Sequence, residues 1–595
     1  MTASARRRIT SAPLLINHES GYSLIFNTKR GLALAGLTTA ALLLAGCSTG
    51  GTTTDPSTSA SAEELTSTGW TSASRDDVVD GGTLNLPVDT APANWQLYNL
   101  DSGTVDDNLL STIFLPSFIR FAEDGSWSAD PDFATSIELT GEDPQTVEVK
   151  INPEAVWSDG TPISVADFAA TFNALNGVNP EFAPTATNVW EDVESVEAGA
   201  DEQDVIITFA NVNADWASIL NGIYPEWAVA TPEAFNTAWA GGPFAADGAT
   251  YVSGNAYILS AFDATGQVMT FTPNPAWWGD APKLDQIIFK AVSRDGLAQA
   301  FANSELDAFD LHGSADNYVT AQSRDDGMIE RSLGTTYRHV TLNGTSEVFS
   351  DVKVRQAFAT ALNRDLLAQA ILSPVESPVT LLDNLIYLPG QDGYEDHATD
   401  VYGYDTDGAK SILEDEGYEL NDDDFYEKDG MQLDVRFVIP SDNTNSANIA
   451  TLVQQQEAAA GINVTIDTVP SDDFFTSYIT TETRDFDATY FAWQGTPFPV
   501  SSTQSIFYPA DSGQNFPGVT DESLGDDWEA ANAELDPDAR IDLANAIDEK
   551  LVDLVTTIPL FPEPFTYGVK DTLVNYGPSQ FEGQSLRWQD VGYTE

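Results

Sequence analysis

The 595-residue chain holds one cysteine, four histidines and only 25 lysines and arginines against 92 acidic residues. Each scarcity removes something. A single cysteine, Cys47, cannot make an internal disulfide. So few cations leave a net charge of −67, which repels the phosphates of nucleic acid and of anionic lipid headgroups, so no nucleic-acid partner is expected. Five cations (Arg6, Arg7, Arg8, Lys29, Arg30) and one acid (Glu19) precede Cys47, and the remainder carries −71. Attachment to a membrane then has to come from acyl chains and not from a basic face. A heavily solvated secreted surface accounts for the acids without a specific cation site.

Apolar runs long enough to cross a bilayer are also missing. Lys29 and Arg30 precede an uncharged stretch from Gly31 to Ala45, shorter than the roughly 20 residues of a spanning helix. A basic start, a short apolar run and a small-residue site spell an export signal over residues 1–46. Residues 1 to 28 are an unusual prelude to it. Leu44-Ala45-Gly46-Cys47 resembles the lipobox of bacterial lipoproteins, which implies a diacylglycerol on Cys47 as the mature N-terminus. From Cys47 to about Asp80 the chain is rich in Ser, Thr and Gly and reads as a flexible tether, spanning on the order of 30 Å as a random coil.

Short catalytic signatures are absent from the exported part. It has no Gly-x-Ser-x-Gly elbow, no His-Glu-x-x-His and no Gly-x-x-x-x-Gly-Lys. His312, His339 and His397 are widely scattered and read as surface or satisfied side chains. Carboxylates are too abundant for any pair to point to a glycosidase. Asp422-Asp423-Asp424 with Asp429-Gly430 lacks the ligand spacing of an EF-hand loop and reads as a solvated turn. No catalytic residue, metal or cofactor is expected.

What is present is a globular α/β pattern. With 42% hydrophobic residues and this length, two or three packed lobes are expected. Thr83-Leu84-Asn85-Leu86, Val147 to Ile151, Val205 to Phe209 and Leu433 to Phe437 read as strands. Helices are read after three candidate caps: after Ser164, with Val165, Phe168, Phe172 and Leu175 on one face; after Asp351, with Val354, Phe358, Ala361 and Leu362; and after Asp536-Pro537, with Ala544, Ile547, Leu551 and Leu554.

An ordered series of segments resembles the family-five extracellular solute-binding proteins, the group that includes oligopeptide- and dipeptide-binding proteins. It runs Val156-Trp157-Ser158-Asp159-Gly160-Thr161-Pro162 with Ala166-Asp167-Phe168, Gly254-Asn255-Ala256-Tyr257, Asn274-Pro275-Ala276-Trp277-Trp278-Gly279, and Leu342-Asn343. It continues through Asp351 to Phe358, Leu362-Asn363-Arg364, Ala460-Gly461-Ile462-Asn463-Val464, Asp485-Phe486-Asp487-Ala488 and Ile558-Pro559-Leu560-Phe561. The resemblance covers about residues 80 to 595. It implies an α/β, two-lobed clamp of the type II periplasmic-binding-protein kind with an extra domain in the N-terminal lobe. Lobe I would comprise 81–106, 216–336 and 561–595, the extra domain 107–215, and lobe II 337–560, with chain crossings near Tyr337 and Leu560 as the hinge.

The resemblance further implies a solute-binding lipoprotein of an ABC-type importer, on the extracellular face of the bacterial membrane, that passes its solute to permease subunits as a monomer. Tyr490-Phe491-Ala492-Trp493-Gln494-Gly495-Thr496 resembles the strand-to-loop region lining the relatives' pocket. Where peptide binders carry an aspartate for the peptide's α-amino group, this chain has Thr496, whose hydroxyl cannot neutralise an ammonium. Asp310 is the candidate substitute. Trp493, Gln494 and Thr496 are candidate ligand contacts, as are Tyr337 and Arg338 near the hinge and Ser102 and Thr104 on a polar loop. Core packing for Trp493, a structural salt bridge for Arg338 and a solvent-facing turn for Ser102 and Thr104 stand beside those roles. A short peptide is the leading cargo, an oligosaccharide or metal chelate the alternative, and a tethered hydrolase or a non-transporting surface lipoprotein the more distant readings.

Overall fold

The computed structural model describes residues 65–102, 104–441 and 443–595; the export segment and Cys47 lie outside them. Each strand read from its apolar run forms: three extend slightly beyond it, as Thr83–Val88, Gln145–Ile151 and Asp204–Phe209, and the fourth, expected from Leu433, starts one residue later as Asp434–Pro440. The helices start where their caps stand. Asp351 accepts from the Lys353 amide ahead of Val352–Ala361, and Asp536 accepts from the Ala539 amide at 3.0 Å ahead of Pro537–Leu554, each satisfying a donor that the first helical turn leaves free.

The two largest buried clusters divide the chain into two lobes. The first surrounds a four-stranded sheet ordered Thr83–Val88, Gln286–Ala291, Val268–Pro273, Tyr257–Asp263, whose first pair is parallel and the rest antiparallel. A second, antiparallel sheet of Ala134–Glu142, Gln145–Ile151, Asp204–Phe209 and Val193–Ala198 packs under the helix Val165–Leu175. Its Val147, Phe168 and Ile207 belong to the same cluster as Leu84, Phe289 and Trp588. The added segment therefore shares the first lobe's core. The other lobe is built on a five-stranded sheet ordered Asn463–Val469, Asp434–Pro440, Ala488–Gln494, Thr336–Leu342, Thr557–Pro562, with its own cluster around Val340, Phe437, Tyr490 and Ile558.

One two-stranded ribbon joins them. In the first lobe Gly327–Ser332 pairs with Phe565–Lys570, and in the second Thr336–Leu342 pairs with Thr557–Pro562. The chain thus crosses twice, side by side, at 333–335 and 563–564. Tyr337 and Leu560, expected at the crossings, lie just inside the second sheet, buried at 3% and 0% exposure. A double crossing with few residues between two rigid sheets is the geometry of a hinge.

The tether ends sooner than composition suggests. The Leu333 amide donates to the Thr66 carbonyl at 2.8 Å and the Gln580 amide to that of Ser67 at 2.7 Å. Thr71 donates to Glu330 through both its amide and its hydroxyl, and Arg75 pairs with Asp590. Residues from Thr66 to Asp80, read as tether, are thus fixed to the first lobe.

Candidate ligand cleft

The segments that carry the family resemblance are scaffold. Trp157 is fully buried and its indole N–H donates to Asp167 at 3.2 Å. The same carboxylate accepts from the amides of Ser164 and Glu226 at 2.9 and 2.8 Å, and burial pushes it up to about 6. Between them, Ser158 to Thr161 form a turn in which Gly160 takes a φ of 88° and Asp159 accepts from the Thr161 amide, a conformation that suits glycine. Gly254 is required because a Cβ there would sit 2.9 Å from the Trp157 ring. Asn343 bridges the carbonyls of Arg484 and Phe486, and Arg364 binds those of Leu382 and Pro559 together with the Asp383 carboxylate.

The rim of the second lobe beside the hinge is formed by the end of Ala488–Gln494 and the loop after it. Gln494 is exposed and pairs in register with Thr336. The Gly495 amide donates to the Thr335 carbonyl at 2.8 Å, and a Cβ at Gly495 would lie 2.6 Å from Leu388. Thr496 shapes this loop: its hydroxyl accepts from the Phe498 amide and donates to Ser502, both at 3.1 Å, and its carbonyl accepts from Gln391. That hydroxyl is already engaged at the start of the helix Pro499–Phe507.

Trp493 and Tyr337 face the interior. Trp493, 9% exposed, stacks on Phe516 at 5.7 Å and lies parallel to the His339 ring at 6.3 Å. The Tyr337 hydroxyl has no hydrogen-bond partner among the described residues, and burial raises its pKa. Arg338, on the opposite face of the strand, reaches Glu563 at 2.6 Å and lies over the Tyr490 ring. Its guanidinium thus spans the second crossing of the hinge.

On the first lobe, Asp310 ends the strand Ala308–Asp310 opposite Tyr567. It is half-buried and accepts from the His312 amide at 2.8 Å. Asp106, at the start of the helix Val105–Phe114, accepts from the Asp89 amide at 2.6 Å, and burial pushes it up to about 6. Asp106 and Asp310 both act electrostatically on Tyr567 and Tyr576, whose phenols burial pushes upward. Two acids and two tyrosines therefore share one corner of the first lobe. Ser102 donates to the Asn94 carbonyl and closes its own loop, while Thr104 caps the helix in a reciprocal pair with Asp107.

The three histidines after Cys47 differ. His312 is exposed beside Asp310. His339 departs from the surface or satisfied reading: it is fully buried, its Nε2 has no partner among the described residues, and burial pushes it down to about 3. His397 Nδ1 lies 2.7 Å from Asp548, which is fully buried and also accepts from the Leu385 amide. The bond to Asp548 raises the His397 pKa. A raised imidazole stabilises fully below its unfolded value of about 6.5 and loses that contribution as pH climbs through the folded value. The melting temperature is therefore expected to fall more steeply as pH rises above about 6.5 in the natural chain than in His397→Gln; parallel curves would contradict it. Among the described residues no group of His, Cys, Asp and Glu is placed to hold a metal ion.

The arrangement is two lobes on a double-strand hinge, with polar rims and no assembled nucleophile–base pair among the site residues. Residues 129–515 match the family model for the middle region of bacterial extracellular solute-binding proteins, family 5. The chain belongs to that family. This family 5 protein is 33% identical over 502 residues to the oligopeptide-binding protein OppA of Mycobacterium tuberculosis, covering 84% of this chain and 83% of that one. Its fold is similar to that of the periplasmic EDTA-binding protein EppA (TM-score 0.78, 23% identity, 90% and 99% of the two chains). It is also similar to that of the oligopeptide-binding protein AppA of Bacillus subtilis, solved with a nonapeptide (TM-score 0.66, 19% identity, 87% and 100%). Membership makes it an extracellular solute-binding protein with a substrate-delivery role.

Proposed function

We propose that this family 5 protein captures short peptides between its lobes and hands them to the permease of an ABC importer, working as a monomer held to the outer face of the membrane by a lipid on Cys47. The observation that carries the reading is the 33% identity to an oligopeptide-binding protein across most of both chains. The double crossing supports it physically, because a peptide that touches both rims lowers the free energy of the shut form relative to the open one. No bond of the solute has to break, so the protein works without catalysis.

With Thr496 in the place of the aspartate, the charge for a peptide ammonium falls to Asp310, in the corner it shares with Asp106. Gln494, exposed on the opposing rim, supplies amide contacts to the main chain. Trp493 and Tyr337 stiffen the sheet behind that rim, and Arg338 braces the hinge through Glu563. Ser102 and Thr104 act by fixing the loop beside the cleft.

A second reading, a metal chelate as cargo, draws on the likeness in fold to the EDTA-binding protein and on the missing aspartate. Native mass spectrometry of protein purified without refolding separates the two. A heterogeneous excess of a few hundred daltons that disperses as peptides on denaturation is expected; a single homogeneous chelate would overturn the peptide assignment. For the anchor, Cys47→Ser is expected to move nearly all of the protein from the membrane fraction to the medium, and unchanged fractionation would remove lipidation from the account.

A further inference from the structure

Beyond capture itself, the structure carries a contact between the lobes away from the two crossings. Arg540, in the first turns of Pro537–Leu554 in the second lobe, meets Asp215 of the first lobe with both terminal nitrogens, one on each carboxylate oxygen, at 2.5 and 2.8 Å. The Asp215 side chain is 1% exposed and that of Arg540 15%. Paired planar groups of this kind fix orientation as well as charge.

Both partners are held in place before they meet. The Asp215 amide donates to Asn213 Oδ1 at 2.9 Å. Asn213 is clasped to Gln145 by two bonds of 2.8 and 2.9 Å and to Asp192 by a third. These partners lie on or beside the sheet of the added segment 107–215. Across the gap, Arg540 Nε donates to the Ala531 carbonyl at 3.0 Å. Next to the ion pair the Ala214 amide donates to the Asn532 carbonyl at 2.8 Å, and on the rim loop Phe498 meets Phe121 edge-on at 5.9 Å. All three contacts join the added segment to the second lobe.

We propose that Asp215 and Arg540 form a latch by which the added segment grips the second lobe and biases the clamp toward its shut form. When the lobes part, both charges regain water. When one partner is missing, closing buries the other unpaired, which opposes closure. The pair acts on the lobe equilibrium and touches no solute, so both are positioning residues. The inference rests on the reading of the two lobes as a clamp that opens.

The test uses the full chain in a Cys47→Ser background, stripped of cargo, with spin labels at Val178→Cys and Leu420→Cys. These sites are 81% and 51% exposed, one in each lobe. Interlabel distance distributions are measured without ligand for the otherwise unaltered chain, Asp215→Asn, Arg540→Gln and the double variant. Two populations are expected in the reference chain. Each single variant should raise the ratio of long to short distances about 10-fold or more, and the double no further than the larger single, since one interaction is lost in all three. Arg540→Lys, which keeps the charge without the two-pronged contact, should shift the ratio in the same direction and serves if the other variants do not melt cooperatively. An unchanged ratio in folded variants overturns the latch while leaving the clamp. One fixed distance in every chain overturns the clamp reading itself, and the latch with it.

Discussion

Asp310→Asn is expected to weaken peptide binding by about 30-fold or more while leaving the melting temperature of the empty protein nearly unchanged. Removing one partner of a desolvated charge pair costs about 2–5 kcal/mol, and each 1.4 kcal/mol is tenfold in affinity. Asp310 is half-buried and accepts a hydrogen bond from the backbone of His312, two residues on. An asparagine oxygen can accept that bond, so the fold keeps it, but a neutral amide cannot balance an ammonium. Isothermal titration with peptides recovered from the natural protein measures the change. Equal affinity for a peptide and its N-acetylated form in the natural chain would remove the ammonium from the account, and equal affinity of Asp310→Asn and the natural chain would move the charge to another acid.

Trp157→Ala is expected to lower the unfolding free energy by about 3–5 kcal/mol, the range for emptying a large buried aromatic site. The indole is fully buried, touches the backbone position of Gly254 and donates to Asp167. Its loss leaves a cavity between the helix Val165–Leu175 and Gly254, in the core that the added segment shares with the rest of the first lobe. Urea unfolding would show the loss as a lower midpoint. A loss below about 1 kcal/mol would mean that the site collapses onto the missing ring and that the family's Trp-Ser-Asp-Gly-Thr-Pro segment does not hold the first lobe together.

How much of this was legible in the chain depends on distance along it. Strands and helix starts were, because Val147 to Ile151 alternates by itself and Asp536-Pro537 caps by itself. Thr104 was nearly so: Thr104-Val105-Asp106-Asp107 has the spacing of a capping box, and that signal outweighs a ligand role. Trp70 in the stretch taken for tether was the sign that it docks, and a Cβ on Gly577 would indeed sit 2.9 Å from that of Trp70. The face of a strand was not legible. Trp493 and Tyr337 sit opposite each other in register, and only the packing of Phe516 from a separate segment tells that their shared face is interior. The pairs that tie the lobes together were invisible for the same reason. Arg338 and Glu563 are 225 residues apart and Asp215 and Arg540 are 325 apart, so no local pattern can connect them.

Capture requires the lobes to change their spacing when a solute is held between them. Small-angle X-ray scattering of the cargo-stripped chain, recorded with and without the peptides released from it, measures this directly. A smaller radius of gyration on adding peptide is predicted, with a rise in unfolding free energy of about 2.7 kcal/mol at a hundredfold excess over Kd. Identical scattering profiles for samples that calorimetry finds saturated with peptide would contradict it.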